Sequence, residues 1–302
     1  MKITMKKRWF LLILVFFLAV SGCSGGSEES YPSTYPESEG ATLEQVHWPA
    51  FPGVNVLSDG VVEIDYSNVS QGYIGARKLT DTGKSKIQVL KDDKKYNYDI
   101  TDSAYIAFPL QMGNGLYTFK ILQQIEGTRY AISASVQVEV SLENELDPFL
   151  YPNQVVNYAP DSKVVAISFD LVKDDTDDLT RLAHLFQYVV DTLDYDDDKA
   201  VEVQDAYVLP DLDETMESGK GICFDYASLL AGLCRIQGFP ARVIVGWTDI
   251  EYHAWVEIYL EGEGWINPKI YFTEHDWSLV DPTFSDARNT DYEGKYEEVY
   301  RY

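Results

Sequence analysis

Hydrophobic and polar residues alternate in short runs along residues 46–142. Turn residues such as Gly113-Asn114-Gly115 and Glu126-Gly127 separate the runs, a pattern typical of β-strands joined by hairpins. The predicted strands are VVEIDYS, GYIGARKLT, SKIQVL, YNYDIT, AYIAFPL, LYTFKILQQ and TRYAISASVQVEVSL. This succession predicts an all-β domain over 46–145, a sandwich of the immunoglobulin-like type.

The pattern then changes to helix followed by strand. Apolar residues recur at i+3 and i+4 spacing over 179–193, which predicts an amphipathic helix with Asp177 available to cap it. A second helix is predicted from Cys223 to Gln237, stopped by Gly238. The strands ARVIVGW, YHAWVEIYL, GWIN, KIYF and WSLV follow. A helix packed on an antiparallel sheet over 146–302 makes the predicted fold class α+β.

The first 22 residues have the organisation of an export signal. Basic residues precede an uninterrupted apolar run from Trp9 to Val20, which is too short to span a bilayer comfortably. The run ends in Val20-Ser21-Gly22-Cys23, which resembles the bacterial lipobox, whose cysteine becomes the lipid-modified first residue. We therefore expect a signal peptide at 1–22 and a flexible acidic linker at 23–45. Lipidated Cys23 would anchor the protein to the cell membrane, facing the extracellular side.

Composition narrows the classes of function. Acidic residues outnumber basic ones 49 to 24, so the formal net charge is −25, and removal of the four positive charges of the signal would make it −29. Such a surface repels phosphate backbones, so no nucleic-acid partner is predicted. The chain has no zinc-type Cys and His spacing and no Gly-rich phosphate loop after a strand. The acidic run Asp194–Asp198 lacks the glycine and glutamate of a calcium loop, so it is expected to be a solvated loop. Neither a metal nor a cofactor is predicted.

Cysteine usage indicates a reactive thiol. If Cys23 carries lipid, Cys223 and Cys234 remain, eleven residues apart in one predicted helix. At helical rise they are about 16 Å apart, which is too far for a disulfide. Cys223 opens the helix after a Gly-rich approach, where unpaired backbone N–H groups and the helix dipole lower the pKa of a thiol. Cys234 lies among leucines and is expected to be a small buried hydrophobe.

A thiolate nucleophile needs a base and a group that orients the base. His253 lies in the strand YHAWVEIYL, where alternation puts it on one face with Trp255 and Glu257. Asp281 ends the last predicted strand, where Pro282 bars continuation of the ladder. Cysteine opening a helix, then histidine and aspartate on strands, is the layout of a thiol acyl-transfer triad.

Three ordered segments resemble a known family. GKGICFDYASLLAGLCRIQGFPARVIVGW, YHAWVEIYLEGEGW and LVDPTF, spread over roughly 175–286, resemble the core of the transglutaminase-like superfamily, whose fold is papain-like. The resemblance implies that Cys223 is the nucleophile, His253 its base and Asp281 the orienting acid. The family includes cross-linking acyltransferases, peptidases, deamidases and peptide-N-glycanases, so its fold does not select one reaction. The β domain lies outside the resemblance.

One departure from the family leaves an alternative open. Many relatives have a DPT-like turn soon after the strand that follows the histidine. Here that place reads Gly264-Trp-Ile-Asn267-Pro268, and Asp281 comes fourteen residues after Asn267. Asn267 is therefore an alternative orienting residue, since an amide serves this role in papain-like enzymes. Asp281 is preferred because a carboxylate also stabilises the imidazolium.

Two classes of function follow. In the first, the protein is a lipid-anchored cysteine acyltransferase or amide hydrolase that acts through a thioester intermediate. Its substrates are extracellular protein or cell-wall peptide. In the second, it is a non-catalytic surface lipoprotein for binding or assembly that retains a transglutaminase-like scaffold. Residue spacing does not choose between an acceptor amine and water, because that depends on how the approach to the acyl-enzyme treats water.

Overall fold

The computed structural model describes residues 38–203, 208–248, 252–268 and 296–302. The described residues belong to one unit of the chain. Outside these ranges lie the predicted signal peptide, Cys23, the predicted strands KIYF and WSLV, and Asp281.

The N-terminal region consists of two four-stranded antiparallel sheets. Its strands are β1 (Val56–Ser58), β2 (Val62–Asp65), β3 (Tyr73–Lys78), β4 (Ser85–Lys91), β5 (Lys94–Ile100), β6 (Ile106–Pro109), β7 (Gly115–Glu126) and β8 (Arg129–Val140). The strand orders are β1-β2-β3-β6 and β5-β4-β7-β8. Each of the seven predicted segments contains one of these strands. The additional strand, β1, is three residues long and too short to show a period.

Alternating residues of both sheets meet in a shared core. Ile64, Ile74 and Phe108 come from the first sheet, and Val89 and Phe119 from the second. The chain changes sheet three times, between β3 and β4, between β5 and β6 and between β6 and β7, as in immunoglobulin-like sandwiches. The predicted all-β sandwich is therefore confirmed.

Within the described ranges, five α-helices follow the sandwich. They are α1 (Lys163–Leu171), α2 (Asp178–Thr192), α3 (Asp197–Glu202), α4 (Leu212–Ser218) and α5 (Cys223–Ile236). The two predicted helices correspond to α2 and α5. Asp177 caps α2 by accepting a hydrogen bond from the Thr180 N–H at 2.9 Å. Gly238, with φ of 82°, allows the chain to reverse after α5, and the Phe239 N–H then bonds to the Cys234 carbonyl.

None of the helices in the described ranges is both long and apolar enough to cross a membrane.

The remaining strands of the described residues form a third antiparallel sheet and a short parallel pair. They are β9 (Asp194–Tyr195), β10 (Lys220–Gly221), β11 (Ala241–Trp247), β12 (Tyr252–Leu260), β13 (Gly264–Ile266) and β14 (Glu297–Arg301). The sheet has the order β13-β12-β11-β14, and β9 pairs with β10. Helix α5 packs on this sheet, with Leu230 and Leu233 in the same core as Val243 and Val256. This arrangement confirms the α+β fold class.

Strand β14 connects the sandwich to the third sheet. Tyr302, which follows β14, packs into both cores, and its ring lies 5.9 Å from that of Tyr96. Gln111 donates to the Arg301 carbonyl, and the Arg301 N–H donates to the Tyr96 hydroxyl. The two regions therefore share packing and hydrogen bonds through the last described segment.

Candidate active site

Cys223 is the first residue of α5 and is partly buried. The segment that leads to it is held by the parallel pair, in which Lys220 lies opposite Asp194 and Gly221 opposite Tyr195. The helix N-terminus leaves backbone N–H groups without intrahelical partners and carries the positive end of the helix dipole. Both features favour a thiolate at this position and can hold a negatively charged oxygen beside it.

Cys234 has the opposite environment. Its side chain is fully buried among core residues of α5 and the sheet. Burial raises the pKa of its thiol well above the usual range, so the group stays protonated and unreactive at neutral pH. The predicted role of Cys234 as a core residue agrees with this position.

Chain topology brings Cys223 and His253 to the same end of the helix and sheet layer. Helix α5 has 14 residues and β11 has seven, which correspond to about 21 Å and about 23 Å. Because a tight turn at Gly238 joins them, β11 runs back along α5 and ends near Cys223. His253 is the second residue of β12 and pairs with Gly246 near the end of β11. The two predicted chemical groups are therefore brought to one end of the layer.

His253 lies on the predicted face of its strand. Ala254, Val256 and Ile258 are in the core with α5, whereas His253 and Trp255 alternate with them. His253 is only 4% exposed. Such burial restricts the rotamers of the imidazole.

The rest of this face is filled by an aromatic and charged cluster. Arg242 donates to Glu257 at 2.8 Å, and its guanidinium lies 4.1 Å from the ring centre of Trp265. The Trp255 ring contacts that of Tyr296 at 4.9 Å. Through these contacts, the side chains of Arg242 and Trp255 pack against neighbouring residues of the sheet.

Of the two candidates for the residue that orients His253, Asn267 lies within the described residues and Asp281 does not. Asn267 is partly buried and follows β13, in which Ile266 pairs with Ile258. This register sets Asn267 level with Glu257, four residues and about 13 Å along the strand from His253. Asp281 lies outside the described residues. The preference for Asp281 stays a prediction, and the register of Asn267 agrees with it.

Two further residues beside Cys223 were missed from the sequence. Asp225 accepts a hydrogen bond from the Ile222 N–H at 2.9 Å and forms an ion pair with Lys199. An acid in the first helical turn is a recognisable capping signal. Lys199 gives no sequence signal, because it belongs to α3 in the acidic run that was expected to be a loop.

In the part of the chain that the structure describes, no three His, Cys, Asp or Glu side chains are grouped to hold a metal ion.

Comparison with known families gives a direct match for the region of this site. Residues 165–269 match the family model of the transglutaminase-like superfamily. This part of the chain is a transglutaminase-like domain. The match includes Cys223, His253 and Asn267 and ends before Asp281. No curated protein sequence matches the chain significantly.

Several solved structures are similar to this chain. A candidate cysteine protease from Cytophaga hutchinsonii is 13% identical with a TM-score of 0.35, covering 76% of this chain and 91% of that chain. The periplasmic domain of TgpA from Pseudomonas aeruginosa is 13% identical with a TM-score of 0.30, covering 68% of this chain and 93% of that one. A protein described as a TGase is 20% identical with a TM-score of 0.30, covering 37% of this chain and 33% of that one.

Proposed function

We propose that the protein is a lipid-anchored extracellular cysteine acyltransferase or amide hydrolase with Cys223 as the nucleophile. His253 would be the base and Asp281 the residue that orients it. The observation that carries the proposal is the position of Cys223 at the first residue of α5, at the end of the sheet where His253 is the second residue of β12. Both residues lie within the transglutaminase-like match.

The chemistry divides an amide exchange into two steps. The Cys223 thiolate attacks the carbonyl carbon, and backbone N–H groups at the start of α5 stabilise the oxyanion. Protonated His253 gives its proton to the leaving amine, so the C–N bond breaks and a thioester remains. Water or an acceptor amine then attacks the thioester, His253 takes up its proton, and the thiolate is regenerated.

The proposed location sets the class of substrate. A lipobox-like Val20–Cys23 segment after an apolar run supports export and anchoring through lipidated Cys23. Substrates would then be extracellular proteins or cell-wall peptides. A net charge of −29 after removal of the four positive charges of the signal peptide would favour basic partners, although attraction between exposed charges falls off over about 8–10 Å at physiological salt.

Alkylation with iodoacetamide tests the nucleophile. We expect one fast adduct on the native protein, because Cys223 is partly exposed at a helix N-terminus and Cys234 is fully buried. The adduct should vanish in Cys223→Ala and persist in the matched control Cys234→Ala. Labelling that follows Cys234 instead would refute the assignment.

Trapping of the acyl-enzyme tests the reaction. The native protein is incubated with a cell-wall or secreted-protein digest, and intact mass shows any adduct on Cys223. Competition by an added primary amine distinguishes transfer from hydrolysis, because a transferase yields the amide of that amine. Absence of any thioester and of any amide turnover would contradict both reactions.

A specific cavity favours the second candidate function, ligand binding. The cavity has a volume of about 330 Å³, and its lining includes Trp48, Phe51, Tyr105, Asn153 and Tyr158. The rings of Phe51 and Tyr105 are stacked at 4.8 Å. Its twelve lining residues carry no charged side chain, so it suits a neutral ligand.

Binding to purified cell-wall material separates the two functions. If the protein is a binding or assembly lipoprotein, retention on the wall should be unchanged in Cys223→Ala and reduced in Trp48→Ala. If wall binding is unaffected by Trp48→Ala, this second function loses its support.

A further inference from the structure

A buried carboxylate holds the backbone immediately before Cys223. Asp225 is 1% exposed and lies two residues after Cys223 in the first turn of α5. Its Oδ2 accepts a hydrogen bond from the Ile222 N–H at 2.9 Å. The carboxylate therefore fixes the peptide that precedes the nucleophile, as an acidic residue does at the third position of a helix.

The approach to Cys223 packs directly against the same carboxylate. A Cβ at Gly221 would lie 2.7 Å from the Asp225 Cβ and 3.3 Å from its Oδ2. The Gly221 carbonyl accepts a hydrogen bond from the Asp196 N–H at 2.9 Å. Glycine is required at position 221 because the Asp225 side chain occupies the space that a side chain at position 221 would need. Asp225 therefore determines the path of the backbone that leads to Cys223.

A negative charge at this position opposes the chemistry proposed for Cys223. It lies in the same helical turn as the thiol, where it disfavours a thiolate and offsets the helix dipole. Lys199 on α3 balances this charge with its ammonium group, because its Nζ lies 2.9 Å from each Asp225 carboxylate oxygen. The Lys199 backbone N–H is itself held by the Asp196 carboxylate at 2.9 Å, which anchors the start of α3.

Other titratable groups occur on the elements around this turn. On the described elements they include Asp194 and Tyr195 on β9, Asp197, Asp198 and Glu202 on α3, Lys220 on β10, Tyr226 on α5 and His253 on β12. Asp194 and Lys220 are exposed, so solvent screens their charges. The contact of Lys199 with Asp225 is short, and it joins a partly buried ammonium to a buried carboxylate.

We propose that Lys199 and Asp225 are positioning residues that set the reactivity of Cys223. Asp225 holds the Gly221–Ile222 backbone in place, and Lys199 neutralises Asp225 so that the anchor does not disfavour the thiolate. This inference rests on the proposed function of Cys223. In this inference the Lys199–Asp225 ion pair has a role in the reactivity of the thiol, in addition to its role in packing.

The test is the pH profile of Cys223 alkylation by iodoacetamide, with adducts located by peptide mass. Lys199→Gln should raise the midpoint of the profile by about one pH unit, which is about a tenfold slower reaction below the midpoint. Asp225→Asn keeps an oxygen that can accept the Ile222 N–H and should lower the midpoint. The double variant should return close to the wild-type midpoint, and Lys199→Arg, which keeps the charge, should resemble the wild type.

The outcomes separate this inference from the proposed function. Equal midpoints in wild type, Lys199→Gln and Asp225→Asn would overturn the inference while Cys223 remains the nucleophile. A wild-type protein in which Cys223 is not alkylated would refute the proposed function itself. A solely structural role predicts that the double variant is at least as impaired as either single variant, with no compensation, and that result also overturns the inference. Circular dichroism of each variant verifies that the fold is retained.

Discussion

Arg235 is a fully buried cation that backbone carbonyls hold in place. Its guanidinium donates to the carbonyls of Tyr151 at 2.7 Å, Ala241 at 2.7 and 2.9 Å, and Tyr302 at 3.0 Å. These carbonyls belong to the segment before α1, the start of β11 and the segment after β14. Burial lowers the pKa of Arg235 to about 10, so the group remains charged at neutral pH.

Replacement of this cation by an apolar residue should destabilise the whole fold. Arg235→Met has a long side chain but no donors, so three buried carbonyls lose hydrogen bonds. At about 1 kcal/mol or more for each carbonyl, the free energy of unfolding should fall by about 3 kcal/mol. For a chain of this size that corresponds to a melting temperature about 6–12 °C lower. Arg235→Lys should lose less, since one ammonium keeps the charge but cannot reach all three carbonyls.

Urea and thermal unfolding, followed by circular dichroism, measure this effect. Arg129→Met is the matched control, because the Arg129 side chain is 73% exposed and pairs only loosely with Glu126 at 3.9 Å. We expect the control to change the free energy of unfolding by less than about 0.5 kcal/mol. If Arg235→Met behaves like this control, the reasoning about the buried carbonyls is refuted.

Three further predictions concern other sites. Gly246→Ala should cost about 1–3 kcal/mol and loosen β14, because a Cβ would lie 2.1 Å from the Glu297 carbonyl oxygen, and amide exchange in β14 that stays unchanged would contradict this. Asp177→Ala should lose about 1 kcal/mol from α2 in thermal unfolding, whereas Asp177→Asn should retain most of the cap. The pKa of Glu63 is lowered chiefly by the Tyr105 hydroxyl, so the folded protein binds fewer protons there than the unfolded chain. Its contribution to stability is therefore present above about pH 4.5 and is lost as pH falls, and Glu63→Gln should flatten this part of the urea-unfolding profile; an equally steep profile would contradict the pairing.

Regular patterns made most strands and two helices predictable. The strand β11 was predicted over the residues that form it, because its apolar run has clear turn signals on both sides. Helix α2 was predicted from one apolar face and its own capping residue. In both elements, residues close in sequence supply the decisive interactions.

Helix α1 was missed because its N-terminus is satisfied from far along the chain. The Asp213 carboxylate accepts hydrogen bonds from the Lys163 and Val164 N–H groups at 2.9 and 3.0 Å. Ser162 occupies the N-cap position but makes no capping hydrogen bond, so the N-terminus of α1 depends on a partner fifty residues away. The expectation of a solvated loop over 194–198 was also wrong, because β9 forms only through pairing with β10, and α3 starts at Asp197.

The candidate site divides in the same way. Cys223 and His253 were recognisable because their chemistry and their place in a helix or strand are local properties of the sequence. The ion pair of Lys199 and Asp225 joins residues 26 apart, on helices whose contact depends on how α3 packs. The assignment of the triad, including Asp281, stays a prediction.

The sequence by itself determined the α+β class, the sandwich that precedes the third sheet, and the types of chemical group at the candidate site. These features depend on hydrophobic periodicity and turn chemistry, which act over a few residues. Only the tertiary structure decided which distant groups meet, as in the carbonyls around Arg235 and the carboxylate beside Cys223. Burial makes those contacts energetically important, because a polar group that is removed from water loses stability unless another part of the folded chain supplies a hydrogen-bond partner.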